Sequence, residues 1–72
     1  WLAALGGADN LRCLEARAST RLRVELADIT RLDDQALAAL GCQGIQAVGE
    51  GVRHLVVGDR AAPLAHALNA GG

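Results

Sequence analysis

The chain has 72 residues, 51% of them apolar, and a formal net charge of −1. That length allows one domain with a small core, and the apolar content excludes a disordered chain. Near-neutral charge and a single aromatic, Trp1, leave neither the electrostatic pull nor the stacking platforms that nucleic acid binding needs.

With no Phe, Tyr or Met, the core must be aliphatic. No apolar run approaches the ~20 residues that cross a bilayer, so direct membrane insertion of this chain is not expected. The abrupt start at Trp1 and the Gly71-Gly72 end suggest that residues 1–72 are a single domain cut from something larger.

In chain order, Trp1–Leu5 reads as the end of a helix stopped by Gly6-Gly7, with turn or capping chemistry from Asp9 and Asn10. From Cys13 the period becomes two: Leu14, Ala16 and Ala18 alternate with Glu15 and Arg17, a first strand. Ser19-Thr20 is the candidate tight turn. Arg21 to Leu26 follows as a second strand, with Leu22, Val24 and Leu26 on a buried face and Arg21, Arg23 and Glu25 on the other. Two guanidiniums two residues apart suit a phosphate, because each presents a planar fork of donors. An ordinary solvated strand face is the alternative.

A connecting loop spans Ala27–Arg31. Asp33 or Asp34 caps a short helix over residues 35–40, ended by Gly41, and capping explains this carboxylate pair better than acid–base chemistry does. Ile45–Val48, Gly49-Glu50-Gly51 and Val52–Val57 read as a second hairpin, in which the glycines supply positive φ. Gly49-x-Gly51 is no nucleotide loop, since a strand rather than a helix follows it. Asp59 is a candidate cap for a last helix carrying Pro63 in its first turn and Ala61, Leu64, Ala65 and Leu68 as its apolar stripe. The order predicts an α+β two-layer sandwich: a four-stranded antiparallel sheet from two hairpins, with about three helices on one face.

Cys13, Cys42, His54 and His66 are separated by 29, 12 and 12 residues, which fits no closed zinc pattern, so no metal and no cofactor are expected. A Cys13–Cys42 disulfide is conceivable, though a cytosolic chain keeps such thiols reduced.

Leu5-Gly6-Gly7, Asn10, Ser19-Thr20-Arg21-Leu22-Arg23-Val24, Asp33, Leu37, Leu40-Gly41, Gly44 and Gly49-x-Gly51-Val52 stand in an order that resembles a known family. It is the IIB domain of the glucose/N-acetylglucosamine class of bacterial sugar phosphotransferase systems. The resemblance implies a four-stranded antiparallel sheet with helices on one face. It also implies a phosphoryl relay, in which a cysteine at the end of the first strand takes phosphate from a IIA phosphohistidine and passes it to a sugar held by a membrane-embedded IIC domain. The implied setting is the cytoplasmic face of the bacterial inner membrane, within a permease, with IIA and IIC or a regulatory protein as partners. By the same resemblance Thr20, Arg21 and Arg23, with Ser19 beside them, match the phosphate-holding part of the family's Ala-Cys-x-Thr-Arg-Leu-Arg motif.

The motif's cysteine is missing. Counting back from Thr20 its place falls on Ala18; counting forward from Ala16 it falls on Arg17, and the segment carries one extra residue. Near the second hairpin Val57 stands where the family puts glycine, and Gly58 follows, another one-residue shift. An engineered Cys→Ala change accounts for Ala18 alone, so natural divergence fits better. Cys13 lies about 13–17 Å back along an extended strand. Ser19 has a hydroxyl without a base, and its phosphate ester would be too stable to hand on readily. The expectation is therefore a degenerate IIB-like copy with a structural or regulatory role. An active phosphotransfer domain using Cys13 or Ser19, and a small-anion or ligand-sensing module on the same fold, are the alternatives. An exposed apolar patch at the Ser19-Thr20 turn would support docking.

Overall fold

The computed structural model describes residues 1–71; Gly72, the last residue of the expected domain, lies outside the described residues. Four strands form one antiparallel sheet: β1 (Leu11–Arg17), β2 (Arg21–Leu26), β3 (Gly44–Gly49) and β4 (Val52–Val56), in the order β1-β2-β4-β3. Both expected hairpins are present, and they join through β2 and β4, which become the central pair. Helices α1 (Asp34–Ala39) and α2 (Ala61–Gly71) complete the α+β fold.

The expected count of about three helices is corrected to two among the described residues. Trp1–Leu5 makes only a single helix-like turn, closed by Leu5 N–H donating to the carbonyls of Trp1 and Leu2, both at 3.1 Å. Gly6 and Gly7, at φ +96° and +101°, stop the chain before a second turn can repay nucleation. Short 3-10 turns occupy Ala8–Asn10, Ile29–Arg31 and Gly58–Arg60, so the loop expected at 27–31 is partly ordered. Asp33 is the cap of α1, its carboxylate accepting from Ala36 N–H at 3.0 Å. Asp59 does not cap α2: it falls inside the 3-10 turn that leads into the helix, and no side-chain cap bond forms there. Of the second hairpin's turn glycines, Gly51 takes positive φ (+73°), whereas Gly49 belongs to β3.

The core is aliphatic. Leu22, Val24 and Leu26 of β2, Leu55 of β4, and Leu5, Leu37, Val57 and Ala61 are buried together, with Trp1 packed partly against them. Leu11 and Leu14 both reach the core although three residues apart, because a register shift between Leu11 and Cys13 displaces Arg12 as a bulge. The α2 stripe lies against β1, and Asn69 donates to Leu14 O at 3.0 Å, covering part of that edge strand. Among the described residues no helix is long and apolar enough to cross a membrane.

β1 ends at Arg17, one residue earlier than the alternation predicted. Ala18 therefore leaves the strand and forms the turn with Ser19 and Thr20. Ala18 and Ser19 take φ of +52° and +67°, a left-handed geometry that costs an L-residue about 1–2 kcal/mol. Ala18→Gly is expected to stabilise the domain by about 0.5–1 kcal/mol, the relieved strain exceeding the added freedom of the unfolded chain. Thermal unfolding should show Tm rising by about 3–6 °C.

Candidate functional site: an arginine cluster at the first hairpin

Alternation along β1 and β2, combined with the pairings Glu15↔Arg23 and Arg17↔Arg21, gathers Arg17, Arg21 and Arg23 on the sheet face opposite the core. The adjoining turn presents Ala18, Ser19 and Thr20 to solvent. Its position is fixed from below, since the Thr20 carbonyl accepts from Val57 N–H at 2.9 Å and Gly58 N–H at 3.2 Å. Gly58, at φ +71°, supplies the bend that lets those amides converge, so the glycine belongs at 58 rather than 57.

The three guanidiniums are not equivalent. Glu15 Oε1 accepts from Arg17 Nη2 at 2.6 Å and Nε at 3.1 Å, and lies 3.6 Å from Arg23 Nη1. Arg23 Nη1 also donates to Glu25 Oε2 at 3.1 Å. The Arg17 hydrogen bond, aided by the charges of Arg17 and Arg23, holds the Glu15 carboxyl below its ordinary range. Arg21 makes no ion pair among the described residues, and its Nε is covered by protein with no hydrogen-bond partner. Three guanidiniums against two carboxylates leave one uncompensated positive charge, and Arg21 is the one of the three that makes no ion pair among the described residues.

Of the expected phosphate-holding residues, Thr20, Arg21 and Arg23 do lie together at one end of the hairpin, with Ser19 exposed at its turn. Arg17 and Glu15 belong to the same cluster and were not singled out. The signal was available: hairpin pairing puts Arg17 opposite Arg21 and Glu15 opposite Arg23 once the turn length is known.

Cys13 pairs with Glu25 on the same face but five residues before Ala18, about 17 Å along the strand. Cys42 lies between α1 and β3, its thiol donating to Gly44 O at 3.2 Å, beside a shallow pocket of about 310 Å³ lined also by Asp34 and Ile45. Both cysteines are free, and the conceivable Cys13–Cys42 disulfide is not formed. β1 and β3, which carry or adjoin the two thiols, are the opposite edges of the sheet. His54 faces the open side beside Arg23, whereas His66 is on α2. Among the described residues the large apolar side chains left exposed are Leu40 and Val48, neither of them at the Ser19-Thr20 turn, so no apolar patch there supports docking.

No family model matches the chain. It is 34% identical over 68 residues, 94% of its length, to the N-acetylglucosamine-specific EIICBA component of the phosphotransferase system of Escherichia coli K12. To the component of the same name from Klebsiella pneumoniae it is 34% identical over 61 residues, 85% of the chain. The matches cover 10% and 9% of those two proteins, so the chain spans about a tenth of the curated relatives it matches. Similarity running through nearly the whole chain, on a four-stranded antiparallel sheet with its arginine hairpin, makes this chain a member of the family of phosphotransferase-system IIB-type domains.

Proposed function

We propose that this chain is the IIB-like domain of a glucose/N-acetylglucosamine-type phosphotransferase permease, in a copy that no longer accepts phosphate on cysteine. Its role is structural or regulatory: a spacer or docking element between IIA-like and IIC-like partners, or a surface for a regulatory protein. The setting is the cytoplasmic face of the bacterial inner membrane, with the rest of the permease in the parent polypeptide.

The observation that supports this reading is Ala18, exposed at the hairpin turn and one of the two positions, with Arg17, that match the family's nucleophile by resemblance, beside a cluster that keeps Thr20, Arg21 and Arg23. Relay chemistry needs a sulfur that attacks phosphorus as the P–N bond of phosphohistidine breaks, and cations beside it to hold the transferring group. Arg21 and Arg23 would supply the cations, and residues 16–20 hold no thiol. Cys13 lies too far along β1, and Ser19 has no base among its hydrogen-bond partners.

The test is incubation with a complete phosphoenolpyruvate-dependent relay, followed by intact mass measurement. The IIB segment of the E. coli relative serves as positive control in the same mixture. The control should gain one phosphate and this chain none. One added phosphate on this chain would overturn the reading, and Cys13→Ser and Ser19→Ala variants would then locate it.

A further inference from the structure

We propose that Glu15 is a built-in counter-anion of the arginine hairpin, which compensates Arg17 and Arg23 and leaves Arg21 as the arginine of the cluster with no carboxylate to give up before it meets a phosphate group. This rests on reading the hairpin as a phosphate cradle, and it is independent of whether any residue accepts phosphate covalently.

One Glu15 oxygen serves two strands. Oε1 accepts two hydrogen bonds from Arg17, two residues along β1, and stands 3.6 Å from Arg23 across the ladder on β2. A carboxylate held between two guanidiniums matches the charge and the donor-facing oxygens of a bound phosphate edge. The same Arg23 Nη1 donates to Glu25 Oε2 at 3.1 Å, and Arg17 and Arg21 have no bond to Glu25. What an incoming phosphate finds is thus asymmetric: Arg21 with no ion pair among the described residues, its Nε covered by protein, and two arginines already compensated by Glu15. The Arg17 hydrogen bond also keeps Glu15 ionised throughout the neutral range, so the competitor is always present there. The ligand class is a phosphate monoester or inorganic phosphate, weakly held by this chain and more tightly held once Glu15 is neutral.

Glu15 is partly exposed, and each ion pair at such a site contributes modestly, so releasing it should tighten phosphate binding about five-fold rather than a thousand-fold. The experiment titrates inorganic phosphate into the whole 15N-labelled chain and follows the Nε–Hε signals of Arg17, Arg21 and Arg23. In the wild type the Arg21 signal should move first. Glu15→Gln should lower the Kd about five-fold and make all three signals move together. Glu50→Gln removes the same charge from the second hairpin's turn, at the opposite end of the sheet, and should change Kd less than two-fold; Glu15→Ala repeats the test without an amide. Equal tightening in Glu15→Gln and Glu50→Gln would overturn the proposal. So would no tightening in Glu15→Gln, or no arginine shift in either form at tens of millimolar phosphate. Phosphate uptake in the mass experiment would sink the inactive-copy reading and leave these outcomes unchanged.

Discussion

Replacing Asn10 by alanine is expected to destabilise the domain by about 3–5 kcal/mol, from three hydrogen bonds of a fully buried side chain, one buried and two partly buried, lost with their backbone partners left unpaired. Asn10 is the one buried polar residue among those described. Its Nδ2 donates to Leu5 O at 2.8 Å and Asp28 O at 3.0 Å, and its Oδ1 accepts from Asp28 N–H at 2.8 Å. The side chain thereby ties the N-terminal turn to the segment leaving β2. A 72-residue domain has only about 4–11 kcal/mol in all, so the loss should leave the variant partly unfolded at 37 °C. Urea unfolding followed by Trp1 fluorescence measures it, and a loss under 1 kcal/mol would refute this account.

Asn10→Asp separates hydrogen bonding from shape. The aspartate keeps one acceptor but places a charge beside two carbonyls in a dry site, which raises its folded pKa above the unfolded value. A raised carboxyl pKa means that the native state binds the extra proton. The variant should therefore be most destabilised near pH 7 and recover as pH falls toward 4, the reverse of ordinary acid unfolding.

Leu22→Ala should cost about 3–4 kcal/mol, in the upper part of the range for buried leucines. Leu22 is fully buried on the central strand β2 and faces Leu55, also fully buried, across the β2–β4 ladder. Hydrogen-bonded neighbours on both sides hold the strand in place, so the cavity cannot close by backbone movement. Leu55→Ala should cost a similar amount. The double variant should fall short of the sum by at least about 0.5 kcal/mol, because the two truncations open one shared cavity. Full additivity in chemical denaturation would contradict that shared packing.

Much of this fold was legible in the residues. Leu22-x-Val24-x-Leu26 has the period of a half-buried strand, and it is buried on that face. Asp33 before an alanine-leucine run marked a helix start, and its carboxylate caps that helix. The failures share a cause. Trp1–Leu5 looked helical because its residues favour helix, but propensity does not show that five residues before two glycines are too few to propagate. Ala18 looked like strand by alternation. The hairpin instead closes on the Arg17–Arg21 pair, and the turn must then take in Ala18. Asn10 read as a turn residue; its burial depends on Asp28, eighteen positions away, which no local pattern registers.

The class of fold, the aliphatic core and the arginines of the hairpin could be read from the residues alone, because side-chain alternation and glycine placement are local physics. The residues also show that no cysteine stands between Ala16 and Arg21, the segment that resembles the family's motif. Which of those arginines lacks a carboxylate partner depends on how the strands come together. Glu15 meets Arg17 along β1 and Arg23 across the hairpin, while Arg21 makes no ion pair among the described residues, and the cross-strand part of that compensation depends on distances between strands rather than on order along the chain.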